Sequence, residues 1–310
     1  MEKTIRNLTS TVRLLEEQGV ADLDYVSMDI GYDGRVYLLF SSGAPERING
    51  MFVDTAANAE YTALILTPDW QSGAIEETEK LALGKHAMNF QFLRPVSDGL
   101  LLLLGSRCMY SGKDGPEKNA VFVDPEGNVL RELTFGDGIA DCIVKADGTI
   151  VTSYFDEGVM GNYGWKKPIG SSGLVAWTAE GEILWRPDRD ILDCYAMNVD
   201  EEGDLWYYYY TDFLLVHTDG KTETEYEPAF EGADRFAVID GGRTLIMNGG
   251  YDDEDTFYVS RIGDKNAAAE QLTFTGSDGA AIEAVPVSFL GAKAILLTPD
   301  GDVSFMDLSR

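Results

Sequence analysis

The sequence predicts an all-β fold in which one antiparallel unit recurs along the chain. Short segments rich in β-branched and aromatic residues are separated by turns throughout the 310 residues. Many of the 33 glycines stand in Asp-Gly, Glu-Gly and Gly-Gly pairs, and glycine adopts the positive φ of a tight turn without steric cost. No helical pattern of ~10–15 residues separates the strands, which excludes an alternating β/α fold.

The recurring unit is a pair of β-hairpins, and one glycine marks the first hairpin of each copy. These marker glycines are Gly34, Gly99, Gly148, Gly203, Gly242 and Gly291. Their spacing of roughly 40 to 65 residues matches a four-stranded propeller blade with loops of variable length. The sequence therefore predicts a six-bladed β-propeller with four-stranded antiparallel blades.

We expect one domain covering residues 1–310, and the last blade determines how the ring closes. The blades fall at residues 24–83, 89–135, 141–186, 193–228, 234–275 and 282–308. The last of them lacks a fourth strand. We expect residues 11–17 to supply it, which leaves no exposed edge. The alternative is an amphipathic helix, because Ile5, Leu8, Val12 and Leu15 recur at helical spacing.

Charge and cysteine content limit the partners and the compartment. A formal charge of −29 repels phosphate backbones and anionic lipid, so we expect no nucleic-acid or membrane partner. The sequence shows neither a signal-peptide pattern nor a run of ~18 apolar residues. Cys108, Cys142 and Cys194 have no CxxC spacing, which predicts reduced thiols. We expect a cytoplasmic monomer.

Loop lengths predict which face of the propeller carries function. The turns inside each hairpin are tight, whereas the long loops, at 41–60, 107–119, 155–172 and 248–256, all join second to third strands and share one face. Long loops on a rigid scaffold are where binding residues concentrate. We therefore expect this face to hold the ligand.

An oxygen-bearing residue stands at the start of the first strand of every predicted blade. These residues are Asp24, Asn89, Asp141, Asp193, Asp234 and Glu283. In a propeller they ring the mouth of the central channel, where the carboxylates repel one another unless a proton or a cation neutralises them. Oxygen ligands suit Ca²⁺, Mg²⁺ or Mn²⁺. The alternative is that each side chain caps its own turn.

The longest distinctive loop supplies the other candidate residues. Those expected to contact a ligand are Tyr163, Trp165, Lys166 and Lys167, because aromatic faces and charges suit a sugar-like molecule. The alternative is a loop folded over its own aromatics. As acid or base we consider Asp156, Glu157 and His86, which lies near the predicted mouth. His217 falls on an outer strand, where we expect no chemical role.

A six-bladed propeller with Asp or Asn heading its inner strands is similar to the gluconolactonase and senescence-marker family of metal-dependent lactonases, among the TolB-like propellers. That family holds one divalent ion with a Glu, an Asn and an Asp. The Asn-Gly and Asp-Gly pairs of the family are missing at these strand starts, so no residue role is carried over. We expect a propeller that binds a small polar ligand or a protein segment. The alternative is a divalent-cation-dependent hydrolase, such as a lactonase, or a lyase.

Overall fold

The computed structural model describes residues 1–45, 47–48, 51–52, 54–97, 99–263 and 268–310. Within these residues the chain is all-β, and its strands form six four-stranded antiparallel sheets. The predicted loop at 41–60 lies partly outside the described residues.

We number the sheets in chain order. Sheet 1 contains Asp24–Ile30, Val36–Ser41, Ala56–Pro68 and Ile75–Met88, and sheet 2 contains Phe92–Ser97, Leu100–Leu104, Ala120–Val123 and Val129–Leu133. Sheet 3 contains Ile139–Val144, Ile150–Tyr154, Leu174–Trp177 and Ile183–Trp185, and sheet 4 contains Asp193–Val199, Leu205–Tyr210, Leu214–Thr218 and Glu223–Tyr226. Sheet 5 contains Phe236–Ile239, Thr244–Asn248, Phe257–Arg261 and Glu270–Gln271, and sheet 6 contains Val285–Leu290, Lys293–Leu297, Asp302–Asp307 and Thr9–Ser10.

The remaining elements are short. Glu2–Ile5, Thr273–Gly276 and Ala281–Ile282 form a three-stranded sheet, and two-stranded pairs join Arg47–Ile48 to Met51–Phe52 and Tyr110–Ser111 to Gly115–Pro116. The helices are α1 (Thr11–Gln18), α2 (Asp156–Met160) and a 3₁₀ turn (Gly250–Asp252). In the described part of the chain, no helix has both the length and the apolar character needed to cross a bilayer.

The chain divides into two compact units. Unit 1 comprises Met1–Gly19, Thr67–Glu77 and Tyr195–Arg310, and unit 2 comprises Val20–Leu66 and Thr78–Cys194. Sheets 2 and 3 and most of sheet 1 belong to unit 2. Sheets 5 and 6 and most of sheet 4 belong to unit 1.

Inside each unit, consecutive sheets pack face to face, and alternation along the middle strands directs this packing. In sheet 2, Leu101 and Leu103 join a core with sheet 1, whereas Leu102 and Leu104 join a core with sheet 3. A strand buried on both faces becomes a continuous apolar run, which accounts for the five consecutive leucines at 100–104. In unit 1, the same kind of core joins sheet 4 to sheet 5 and sheet 5 to sheet 6.

The marker glycines stand in the hairpin turns, as predicted. All six have positive φ, between 61° at Gly291 and 84° at Gly148. The Gly148 N–H donates to the Lys145 carbonyl at 2.9 Å and closes the turn between the first two strands of sheet 3. Any residue with a Cβ is strained at that φ, which is why the sequence places glycine there.

The prediction that residues 11–17 form a strand is wrong, because this segment lies in helix α1. Leu14 faces the interior, Arg13 and Glu17 form an ion pair one turn apart at 2.7 Å, and Gly19 ends the helix at φ 62°. These are the signals of a short surface helix with a left-handed cap. They outweigh the β-branched residues at its start. The alternative was right that this segment is helical, but not about its apolar face, because Ile5 lies in the strand Glu2–Ile5 and Leu8 and Val12 are exposed.

The two residues before α1 pair with sheet 6. Thr9 lies opposite Val303 and Ser10 opposite Asp302, in antiparallel register. The Thr11 hydroxyl, at the first position of α1, donates to the Gly301 carbonyl. The N-terminal segment therefore pairs with the strand Asp302–Asp307 through Thr9 and Ser10, and not through the seven predicted residues 11–17.

All three cysteines are free and buried. Burial is the main cause that raises the thiol pKa of Cys142 to about 12. Such thiols are inert at neutral pH, so we assign them to the core.

Candidate functional site

Two of the six predicted channel-mouth residues make contacts that anchor loops. Asp24 is exposed at the start of sheet 1, and its Oδ2 accepts a hydrogen bond from the Ala44 N–H at 2.9 Å. Asn89 is buried, and its Nδ2 donates to the Asp54 carbonyl at 3.0 Å. Both contacts reach backbone groups 20 and 35 positions away along the chain, so neither is the capping of its own turn that was the alternative to a cation site.

Asp141 belongs to an ion-paired group that we call the Arg94 cluster, which consists of Asp29, Arg94 and Asp141. Arg94 lies on the first strand of sheet 2 with a side chain only 6% exposed, and it donates to Asp29 at 2.7 Å and to Asp141 at 3.3 Å. Its Nε also donates to the Cys142 carbonyl at 2.6 Å. Burial opposes the charged form of Arg94, but the two carboxylates raise its pKa above the ordinary value. A guanidinium of the chain itself therefore neutralises this carboxylate pair.

A second buried arginine holds the long loop, and we call this group the Arg107 cluster: Arg107, Asp137, Phe155, Glu157 and Tyr163. Arg107 Nη1 donates to Glu157 Oε2 at 2.6 Å, and Arg107 Nε lies 3.2 Å from Asp137 Oδ1. Its guanidinium also lies over the rings of Tyr163, at 4.2 Å, and Phe155, at 5.3 Å. Burial opposes ionisation of Glu157, but hydrogen bonds from Asn162 and Arg107 lower its pKa.

Four polar atoms around this cluster are buried and have no hydrogen-bond partner among the described residues. They are Arg107 Nε, Arg107 Nη2, Asp137 Oδ2 and Gln91 Nε2. Gln91 is held beside the cluster because its Oε1 accepts from the N–H of Ser106. Burial raises the pKa of Asp137 to about 6, against the Cys108 N–H and Arg107, which lower it. Buried polar groups without partners are costly, so water or a ligand group is expected to complete them.

A carboxylate pair without an arginine lies at the base of the loop. Asp193 begins the first strand of sheet 4, and Asp156 begins α2. Burial raises the pKa of Asp193 to about 7, and the neighbouring charge of Asp156 adds to the shift, whereas a hydrogen bond from the Asp156 backbone opposes it. Among the described residues, neither carboxylate forms an ion pair with a lysine, an arginine or a histidine. Shifts of this size cluster at functional sites.

The loop itself folds over part of its aromatic surface. Trp165 is buried, stacks edge-on with Tyr110 at 5.1 Å and donates its Nε1–H to the Cys108 carbonyl at 2.6 Å. Lys166 and Lys167 are exposed. The structure thus places Trp165 as an anchor of the loop, with the two lysines on its surface.

The remaining predicted site residues lie in other surroundings. Asp234 is exposed, and its Oδ1 accepts hydrogen bonds from Arg235 at 3.0 Å and from Asn248 at 2.9 Å, while Glu283 is exposed at the start of sheet 6. The His86 ring packs against aromatic neighbours on the last strand of sheet 1, and its Nε2 is hydrogen-bonded to the Leu83 carbonyl at 2.8 Å. These contacts give Asp234 and His86 a structural explanation, whereas Glu283 is only shown to be exposed.

Neither Arg94 nor Arg107 is among the residues that the sequence predicted for the site. One signal was present for Arg94, since a charged residue in the otherwise apolar strand Phe92–Ser97 requires a buried partner. No comparable signal marks Arg107. His217 also acquires an unexpected setting, because its ring nitrogen lies beside Asp200 and Asp204.

The comparisons with known proteins support the fold class. No protein-family model matches the sequence, and no curated protein matches it. Solved structures are similar, including a chain of the mitotic checkpoint complex, with a TM-score of 0.51 and 9% identity over 93% of this chain and 76% of that one.

Two further similar structures are the Swd1 β-propeller domain of Myceliophteria thermophila and a gluconolactonase of Xanthomonas campestris. The first has a TM-score of 0.48 and 11% identity over 91% of this chain and 83% of its own. The second has a TM-score of 0.45 and 11% identity over 87% of this chain and 89% of its own. At these identities the likeness concerns the fold alone, and the similar structures include β-propellers.

Proposed function

We propose that the six four-stranded sheets are the six blades of a single-domain β-propeller. The repeated strand order and the face-to-face packing inside each unit support this assignment. Small-angle scattering of the full chain tests it, because a closed six-bladed disc and two separate three-bladed bodies give different distance distributions.

We further propose that the protein binds a small polar ligand, such as a sugar, at a surface formed by the long loop and the start of sheet 4. The observation that carries this proposal is the Asp156–Asp193 pair, which has no cationic partner among the described residues. Burial, with a smaller contribution from the charge of Asp156, raises the pKa of Asp193 to about 7. The same loop is fastened to a buried arginine through Glu157 and Tyr163. A charged pair on a fixed loop is a preorganised polar site.

The surroundings of the pair define the chemistry of the ligand. A carboxyl that titrates near pH 7 either donates a proton to an acceptor or accepts from a hydroxyl group. A hydroxyl-rich molecule both accepts and donates hydrogen bonds, so it suits this pair better than an anion does. Lys166 and Lys167, exposed on the same loop, provide donors for further oxygen atoms of the ligand.

A panel of sugars and polar metabolites, screened by thermal shift and followed by calorimetry, tests the proposal. The Asp193→Asn substitution removes the titrating group and is expected to weaken binding by about tenfold, equivalent to one hydrogen bond to a charged group. Glu126→Gln, in the exposed turn after Val123, is the matched control and leaves affinity unchanged. Equal affinity in the wild type and Asp193→Asn would remove the pair from the site.

The same pair also supports a second function, that of a divalent-cation-dependent hydrolase, such as a lactonase, or a lyase. Two carboxylates without a protein cation are hard-ion ligands, and an ion bound there would polarise a substrate carbonyl. Melting temperatures with Ca²⁺, Mg²⁺ or Mn²⁺ and with EDTA distinguish the two functions. An ion-dependent rise that Asp193→Asn abolishes would favour the enzyme, and no rise with any ion would favour ligand binding alone.

A protein segment is the third class of occupant, and a peptide array bound by the wild type and not by Asp193→Asn would identify it.

We also propose that the protein is a cytoplasmic monomer. The three free, buried cysteines support the compartment. Light scattering on a sizing column tests the oligomeric state.

A further inference from the structure

Sheet 4 brings a histidine and two carboxylates together at one end of its strands. Asp200 directly follows the first strand and Asp204 directly precedes the second, so both belong to the turn that joins them. His217 lies on the third strand, in register with Trp206 of the second. All three residues belong to unit 1.

The spacing of their ligand atoms is that of a metal coordination shell. His217 Nε2 lies 3.2 Å from Asp204 Oδ2 and 3.5 Å from Asp200 Oδ2, and the three ligand atoms lie within 4.8 Å of one another. A tetrahedral ion with bonds of about 2.05 Å separates its ligands by about 3.3 Å. The two distances from the imidazole nitrogen bracket that value, and the two carboxylate oxygens lie within 4.8 Å of each other, so modest movement of the side chains lets all three atoms share an ion.

The imidazole of His217 cannot form hydrogen bonds to both carboxylates at once. The single Nε2 atom of His217 offers at most one N–H, which the Asp204 oxygen at 3.2 Å accepts. The Asp200 oxygen at 3.5 Å is too distant for a second hydrogen bond. A metal ion in place of that proton contacts both carboxylates at once.

The ligands are also held in place by neighbouring groups. The Asp200 side chain is only 7% exposed, and its Oδ2 accepts from Trp206 Nε1 at 2.8 Å. Its Oδ1 accepts from the backbone N–H groups of Glu202 and Asp204, at 3.1 and 2.9 Å. The His217 ring stacks on Trp206 at 4.5 Å. Neighbours that orient metal ligands in this way are characteristic of built metal sites.

We propose that Asp200, Asp204 and His217 bind one divalent transition-metal ion, of which Zn²⁺ is the best fit. Among the described residues, His217 is the only lysine, arginine or histidine whose side chain lies within ion-pair distance of either carboxylate. Imidazole nitrogen selects the transition metals over Ca²⁺ and Mg²⁺, and three protein ligands leave one position for water. This site shares no residue with the carboxylate pair at Asp156 and Asp193.

Calorimetric titration of the EDTA-dialysed full chain with Zn²⁺ tests the proposal. Excess Mg²⁺ in the buffer occupies the weak sites expected on a surface with a formal charge of −29. We expect one Zn²⁺ per chain, with affinity lowered by more than about tenfold in His217→Ala. His86→Ala, which removes the only other histidine, is the matched control and retains the affinity of the wild type. Equal Zn²⁺ affinity in the wild type and His217→Ala would overturn the proposal.

Asp204→Asn provides a second variant in case His217→Ala does not fold. It keeps the size of the side chain and its hydrogen bond to the imidazole, but it removes one anionic ligand, so the proposal requires weaker Zn²⁺ binding. Visible absorption of the Co²⁺ form reports the nitrogen ligand directly and is expected to change in His217→Ala. Asp193→Asn retains Zn²⁺ binding, so failure of the proposed ligand site and failure of this metal site are distinguishable.

Discussion

The described residues of unit 2 contain two pairs of carboxylates, one of which is neutralised by an arginine and one of which is not. Asp29 and Asp141 share the guanidinium of Arg94, which is almost fully buried and within 3.3 Å of both. Asp156 and Asp193 have no such partner among the described residues, and the pKa of Asp193 rises to about 7. The difference separates the carboxylates that an arginine of the chain pairs from those on which the proposed ligand site depends.

The comparison also bears on the predicted ring of carboxylates. Repulsion between like charges was the reason to expect a cation there, and the Arg94 cluster shows that the chain itself supplies one for Asp141. Only where the guanidinium is missing does the original argument still hold. A carboxylate at a strand start is therefore not by itself a sign of metal binding.

Removal of Arg94 should have the largest effect on stability. Arg94→Met keeps an unbranched apolar stem, but it leaves Asp29 and Asp141 unpaired in a half-buried setting. We expect a loss of about 3 kcal/mol in the free energy of unfolding, measured by urea denaturation. Arg13→Gln, at an exposed ion pair of α1, should leave the urea midpoint unchanged. If Arg94→Met changed the urea midpoint as little as Arg13→Gln does, Arg94 would not stabilise the fold.

Asp193→Asn should stabilise the protein in a pH-dependent manner. Folded Asp193 keeps its proton up to about pH 7, whereas an unfolded aspartate loses it near the ordinary aspartate pKa of 3.8. The folded chain thus binds more protons between these values, and Asp193 costs stability as the pH rises through that window. Asparagine has no such cost, so we expect its melting temperature to exceed that of the wild type by roughly 2 °C at pH 8.

The same two proteins should melt nearly together at pH 4, where Asp193 is protonated in the folded state. A difference of equal size at both pH values would show that the variant acts through packing and not through charge. Asp219→Asn, at an exposed turn where backbone hydrogen bonds lower the pKa of Asp219 to about 2, should show no stabilisation at pH 8.

The smallest effect is expected at the ring that covers Arg107. Tyr163→Leu removes the cation–π contact at 4.2 Å, which is worth about 1 kcal/mol. We expect faster amide hydrogen exchange in residues 155–172, with global stability nearly unchanged. Lys167→Ala, on the exposed side of the loop, serves as the control. Unchanged exchange in Tyr163→Leu would show that the loop does not depend on this contact.

Local signals were sufficient to predict the hairpins of the fold. A turn such as that at Gly148 is encoded by residues close to it in the chain, and the apolar run at 100–104 reports burial on both faces of one strand. Helix α1 was mistaken for a strand because both patterns fit so short a segment. The local signals that favour the helix are the Arg13–Glu17 pair and the left-handed cap at Gly19, and the contact of Thr11 with Gly301 adds a link between residues far apart in sequence.

The candidate site could be predicted less completely, because its contacts join residues that are far apart in the sequence. Asp29, Arg94 and Asp141 are separated by 65 and 47 positions, and nothing in the sequence indicates which carboxylate an arginine will reach. The loop residues Asp156, Glu157 and Tyr163 were found from composition. Their attachment to Arg107 and the proximity of Asp156 to Asp193 depend on the folded arrangement.

The pairing of the N-terminal segment also affects how the chain folds while it is being synthesised. Residues 2–10 are synthesised well before their strand partners, around residues 273–276 and 302–303. Sheets 2 and 3 have all their strands once residue 185 is complete. During translation, unit 1 therefore presents unpaired strand edges for much longer than sheets 2 and 3 do, and such edges are where nascent chains aggregate.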